Sequence, residues 1–339
     1  MNDFLTSADV LHGTSSSRRD VLRALAALGA AGLALPGHAQ AYPSKPIKLV
    51  VGYPAGGSVD LIGRVLADAM APRIKATAVV DNQGGAAGAI AAQRVATSAP
   101  DGYTLLVGSS NELVGTRMVN PAQRYDGLKD FTPIGMMATA PVVLTAAPHT
   151  GIKSIPELLD LLRRNPGKYS YGSSGVGSTL HFAGELFKQK AGVYMTHIPY
   201  RGVAPLTSDL AGGSLDFAVL SPSSAMPFIR SGRITALAVS STQRLGSLPQ
   251  VPAMTEFAPL KGYELVGWYA LMAPKGLPAD VTALLASHLQ ATLQDPAVRK
   301  KLEDAGMVLA TGREDIARFM AEESGKYEKL AAFAKMRES

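Results

Sequence analysis

Apolar runs of strand length alternate along this chain with segments whose apolar residues recur every three to four positions. Residues 47–52, 77–80 and 103–108 read as strands, and the first two are followed by helical patterns at 59–70 and 86–97. This alternation predicts a doubly wound α/β domain with a largely parallel sheet. A second series begins after Pro141, with strands at 142–146, around Tyr169, and at 195–198, 217–220 and 236–239, separated by helices at 158–164, 180–190, 206–211 and 224–229. Its first helix opens at Ser154-Ile155-Pro156-Glu157, the spacing of a capping box with proline inside the first turn. Beyond Gly262 the pattern becomes a buried strand at 265–272, a turn-rich connection at 274–278, and helices at 279–294, 296–305 and 315–334. The last helix follows a second capping-box spacing, Thr311-Gly312-Arg313-Glu314. Two doubly wound α/β domains are therefore predicted, with the boundary between residues 139 and 148.

A chain of 339 residues exceeds what a single core serves, which agrees with two domains. The N-terminus has the three-part layout of an export signal: the twin arginines of Ser17-Arg18-Arg19, an apolar run at 24–35, and the small residues of Ala39-Gln40-Ala41. The run is too short to span a bilayer, which takes about 20 residues. Residues 1–41 are expected to be a twin-arginine signal peptide, with cleavage near Ala41 and a periplasmic protein starting at Tyr42. An ordinary secretory signal shares the layout and leads to the same compartment. The absence of cysteine excludes disulfides, thiolate metal sites, iron–sulfur clusters, a cysteine nucleophile and a lipid anchor on an N-terminal cysteine. The net charge of +6 remains after processing, because Arg18, Arg19 and Arg23 balance Asp3, Asp9 and Asp20. Basic residues are dispersed and aromatics make up only 6%, which argues against nucleic acid as a partner. A mild positive field suits the attraction of anionic solutes.

Two glycine- and serine-rich loops carry the candidate chemistry. Tyr53-Pro54-Ala55-Gly56-Gly57-Ser58-Val59-Asp60 and Tyr171-Gly172-Ser173-Ser174-Gly175-Val176-Gly177-Ser178-Thr179-Leu180-His181 each follow an apolar run and open a helix, so each offers backbone N–H groups to an anion. Neither loop contains lysine, which suits holding a carboxylate with neutral donors. The first loop reads equally well as a plain strand-to-helix turn. The second has more hydroxyl donors than a turn needs. The P-loop and Gly-x-Gly-x-x-Gly spacings are absent, so nucleotide binding is poorly supported. No Gly-x-Ser-x-Gly elbow is present, and Ser178 with His181 is a local helix pair with no third member. The histidines do not form a metal-ligand spacing, and no cofactor or metal is expected.

These loops, together with Asp101-Gly102-Tyr103-Thr104-Leu105-Leu106, Leu128-Lys129-Asp130-Phe131-Thr132-Pro133-Ile134-Gly135 and Ile198-Pro199-Tyr200-Arg201-Gly202-Val203-Ala204-Pro205, resemble the tripartite tricarboxylate transporter substrate-binding proteins, the Bug family of periplasmic solute receptors. The resemblance runs from about Tyr42 to the C-terminus. It implies a fold like the type II periplasmic binding proteins, with a cleft between domain 1 (residues 42–142 plus 266–339) and domain 2 (residues 143–265). It also implies a monomeric receptor that takes a di- or tricarboxylate, an acidic amino acid or an aromatic acid and presents it to membrane permease subunits, without catalysis.

The ligand-binding candidates are Tyr53, Ala55, Gly56, Gly57, Ser58, Ser110, Ser173, Ser174, Gly175, Ser178, His181, Arg201 and Gly202. His181 reads as a ligand contact or a loop brace, and Arg201 as a carboxylate clamp or a solvent-facing rim residue. Asp130, Asp209 and Asp216 read as structural, and Trp268 as core. Glu112 departs from the family pattern. If it faces the cleft it favours a ligand with an ammonium group; otherwise it is a solvated side chain. Two other functions fit less well: an exported hydrolase using Ser178 and His181, and a binding protein diverted to sensing.

Overall fold

The computed structural model describes residues 42–336 apart from Arg313. The export-signal reading of residues 1–41 lies outside the described residues. Two α/β domains are built on two sheets. The first sheet contains β1 (Ile47–Val51), β2 (Ala78–Asn82), β3 (Thr104–Ser109), β4 (Phe131–Pro141), β10 (Val266–Pro274) and β11 (Val308–Leu309), in the order β11-β4-β10-β3-β1-β2. The second contains β5 (Val143–Ala146), β6 (Ser170–Ser173), β7 (Thr196–Pro199), β8 (Phe217–Leu220) and β9 (Thr235–Val239), in the order β7-β6-β8-β5-β9.

Both sheets are mixed, whereas the alternation of runs predicted a largely parallel arrangement. β1 is parallel to β2 and β3, but β10 runs antiparallel to β3 and β4. In the second sheet β6 is parallel to β7 and β8, and β5 is antiparallel to β8 and β9. Periodicity missed two strands, the two-residue β11 and the much longer β4. Pro133 and Gly135 interrupt its apolar run, and proline inside a run ordinarily argues against a strand. It is tolerated here because the β10 register shifts beside it, between Leu271 and Met272.

The helices are α1 (Ser58–Ile74), α2 (Ala89–Ala96), α3 (Thr116–Val119), α4 (Ile155–Arg164), α5 (Thr179–Ala191), α6 (Val203–Gly212), α7 (Pro222–Arg230), α8 (Ala279–Leu293), α9 (Pro296–Asp304) and α10 (Ile316–Phe333). α4 starts where its capping box places it, with Ser154 Oγ accepting from Glu157 N at 3.4 Å. The box is only half formed, because the Glu157 carboxylate accepts from Lys153 N at 2.8 Å. Leu285, Leu289 and Leu293 of α8 pack under the first sheet with Leu49, Leu105 and Leu271. α10 ties the two domains together. Its Phe319 meets Trp268 of β10 at 5.5 Å, and its Tyr327 meets Phe182 of α5 at 4.6 Å. The chain passes between the sheets after β4 and returns before β10, and the two connections touch. Val142 N donates to Ser240 Oγ at 2.8 Å, and Ser240 N donates back to Val142 O at 2.9 Å. Among the described residues no helix is long and apolar enough to cross a membrane.

Candidate functional site

The loop after β1 turns at Gly56, whose φ of +95° places it in the left-handed region that side chains disfavour. The turn lets Gly56 N donate to Asp60 Oδ2 at 3.0 Å, and Arg64 and Asn82 hold the same carboxylate. Asp60 therefore serves the loop itself. Gly57 becomes the N-cap of α1 with ordinary extended geometry and no side-chain cap. Two further helices begin the same way. α6 follows Gly202, at φ +104°, and α7 follows Ser221; neither has a side-chain cap.

All three helix starts open on one cavity between the domains, about 120 Å³ in volume. Ser58 and Val59 of α1, Val203 and Ala204 of α6, and Ser221 before α7 line it. The first turn of a helix leaves N–H groups without intrahelical partners and carries partial positive charge. Three such ends from both domains make the cavity suited to an anion. Arg201 is the one charged side chain on its wall, and it makes no ion pair with any described residue. The Ser174 hydroxyl also has no hydrogen-bond partner among the described residues and lies on the same wall. Ala140, Val142, Leu180 and Pro205 complete an apolar lining.

The domains meet around this cavity. Ser58 Oγ and Ser223 Oγ lie 2.7 Å apart, and Ser110 Oγ and Thr179 Oγ1 are also separated by 2.7 Å. Asn111 bridges more extensively. Its Oδ1 accepts from Thr179 N at 2.6 Å and Thr179 Oγ1 at 2.8 Å, and its Nδ2 donates to the Tyr53 phenol at 2.6 Å. Sequence reasoning named neither Asn111 nor Ser223 as a site residue. Asn111 lies in a five-residue π-helical turn, Asn111–Gly115, for which no periodicity signal exists.

Eight of the residues singled out from sequence line the cavity: Tyr53, Ala55, Gly57, Ser58, Ser110, Ser174, Arg201 and Gly202. Of the others, Gly56 is exposed at its turn and Gly175 half-buried in its loop, while Ser173, Ser178 and His181 are buried behind the wall. Ser178 caps α5 by accepting from His181 N at 3.2 Å, and its hydroxyl donates to Gly175 O at 2.7 Å. His181 Nδ1 accepts from Gly177 N at 3.3 Å, and its ring stacks on His197 with centroids 3.8 Å apart. Ser173 Oγ lies 2.7 Å from His197 Nε2. Burial lowers both imidazoles, His181 to about 4 and His197 to about 3, and Lys188 adds to the effect in each. The pair is a neutral stack that braces the second loop. No side-chain hydrogen bond joins Ser178 to His181, so the geometry of a nucleophile with its base is absent there. No cluster of metal-ligating side chains occurs among the described residues.

Glu112 is neither solvated nor on the cavity wall. It is 0% exposed and sits behind Tyr53, accepting from Ser109 N at 2.6 Å. Asp130 accepts from Asp126 N within its own turn, Asp209 of α6 accepts from the Tyr200 hydroxyl just before that helix, and Asp216 accepts from Ser170 N and so ties the approach to β8 to the start of β6.

Residues 62–334 match the sequence profile of a family described as tripartite tricarboxylate transporter family receptor. Protein BugT of Bordetella pertussis is 35% identical over 90% of this chain and 95% of its own length. Two solved structures from Rhodopseudomonas palustris are similar throughout. One, Rpa4515 with adipate, is 31% identical with a TM-score of 0.83, covering 87% of this chain and 98% of that one. The other, MatC with bound malate, is 28% identical with a TM-score of 0.80, covering 85% of this chain and 99% of that one.

Proposed function

The chain belongs to the tripartite tricarboxylate transporter family of receptors, and from that premise we propose that it captures a small organic carboxylate in the interdomain cavity and hands it to membrane permease subunits. The observation that carries this reading is the convergence of three uncapped helix starts and the unpaired Arg201 on one small cavity. Backbone N–H groups hold one carboxylate, and the apolar wall selects the body of the ligand. Adipate and malate on the two similar structures support an acid of this size. The protein acts as a monomer and catalyses nothing. The two connections joined at Val142 and Ser240 form the hinge between a first domain of residues 42–142 plus 266–339 and a second of 143–265. Export through the signal at 1–41, with cleavage near Ala41, delivers it to the periplasm.

A thermal-shift screen of the purified protein against dicarboxylates, tricarboxylates, acidic amino acids and aromatic acids tests the ligand class. A ligand at 100 times its Kd stabilises the fold by about 2.7 kcal/mol. No stabilisation by any carboxylate, or turnover of a carboxylic ester that Ser178→Ala abolishes, sinks the reading. Sequencing the N-terminus of the periplasmic form tests the cleavage site, with Tyr42 as the expected first residue.

A further inference from the structure

Four described carboxyl groups are deeply buried, and three of them have a cation. Asp60 pairs with Arg64 at 3.0 Å, Glu185 with Lys188 at 2.7 Å and Glu323 with Lys326 at 2.7 Å. Glu112, the most buried of the four, has none. Its Oε2 lies 2.6 Å from Ser109 Oγ and 3.1 Å from the Tyr53 phenol oxygen, and Ser109 and Tyr53 both line the cavity.

The hydrogen inventory here is short by one. Tyr53 has a single hydroxyl hydrogen and two acceptors in reach, Ala87 O at 2.7 Å and Glu112 Oε2 at 3.1 Å, while Asn111 Nδ2 already donates to the phenol oxygen. With a proton on Glu112, the carboxyl donates to Tyr53 or Ser109 and the phenol satisfies Ala87. With Glu112 ionised, the carboxylate draws the phenol hydrogen and Ala87 O loses its bond. The groups facing Glu112 from neighbouring elements offer no counter-charge. Tyr53, Tyr125 from the loop after α3 and Tyr269 from β10 are phenols that burial keeps protonated. Arg117 on α3 turns to Asp126 at 2.7 Å, and Arg94 on α2 to Asp81 at 3.8 Å. Burial accordingly raises the Glu112 carboxyl to about 7.

We propose that Glu112 takes up a proton when a carboxylate enters the cavity, so that capture is proton-coupled and Glu112 sets the charge of ligand the site accepts. This rests on the carboxylate reading of the cavity. An anion beside Ser109, Tyr53 and Asn111 opposes a second negative charge directly behind them, and the neutral acid removes it.

Infrared spectroscopy of the ligand-free protein tests the proton site independently of any ligand. A carbonyl band of a protonated carboxylic acid is expected near pH 6, fading by about pH 8.5, and missing from Glu112→Gln. No such band in wild type overturns the proposal. Succinate, adipate, malate and benzoate then probe the coupling by calorimetry in buffers of different ionisation enthalpy at about pH 8. Binding is expected to consume up to one proton, with affinity falling by up to ~tenfold per pH unit above neutrality in wild type and staying flat in Glu112→Gln. A bound probe that takes up no proton overturns the coupling. If neither these four nor any acid of the thermal-shift screen binds, the carboxylate reading fails and takes the coupling with it, while the ligand-free band still decides the proton site.

Discussion

Ser58 on α1 and Ser223 on α7 share a hydrogen bond of 2.7 Å from opposite sides of the interdomain cavity. Ser58 also lines the cavity, so a residue of the cavity wall fastens the two domains. Ser223→Ala removes the fastener and leaves the cavity wall intact. Affinity for a carboxylate is expected to fall by about 0.5–1.5 kcal/mol, roughly two- to tenfold, with the fold unchanged. Calorimetry with circular dichroism checks this, and wild-type affinity in the variant counts against domain closure through this pair.

Gly56 and Gly57 are expected to respond differently although they are neighbours. Gly56→Ala forces a side chain into a left-handed backbone at φ +95° and should cost about 1–2 kcal/mol of stability. Gly57→Ala should be nearly neutral, because its Cβ meets only Val203 Cγ2, at 3.7 Å. Gly57→Val adds methyls toward Val203 across the cavity and is expected to weaken binding more than folding. Melting temperatures and ligand titrations of the three variants separate the cases.

Arg201 and Ser174 are the cavity side chains free to serve a ligand. Arg201→Gln should weaken binding of an anionic ligand roughly tenfold or more and reduce the dependence of affinity on salt. Ser174→Ala should cost about 1–3 kcal/mol of binding. Titrations at low and high salt give the measurement. An unchanged Kd in both variants places the ligand elsewhere.

Stability should depend on pH in two opposing ways. His181 and His197 titrate near 4 and 3 in the fold against 6.5 in an unfolded chain, so between those values the unfolded chain binds more protons and stability falls on acidification. Glu112 titrates near 7 in the fold against 4.5, so over that window the fold holds the extra proton and stability falls as pH rises. Denaturant titrations at successive pH values are expected to show a flatter alkaline side in Glu112→Gln and a flatter acid side in His181→Gln. A profile that neither variant changes contradicts both assignments.

The sequence by itself determined the local elements and the kind of site. Strands such as Phe217–Leu220 and helices such as Ala279–Leu293 were legible because each is written in contiguous apolar spacing. The donor-rich loops were legible because glycine and serine before a helix leave backbone N–H groups unpaired. Only the tertiary structure decided what depends on residues distant in the chain. β4 hid behind Pro133, since whether a proline is tolerated depends on the register of β10, more than a hundred residues away in sequence. The sequence grouped Ser173, Ser178 and His181 with Ser174 because they share one loop, and packing turned them away from the cavity, with Ser173 bonded to His197 and His181 stacked on it. Asn111 and Ser223 gained their places from partners across the cleft. Glu112 has no charge partner for the same reason: burial and pairing belong to the folded neighbourhood, and a single letter in the chain carries neither.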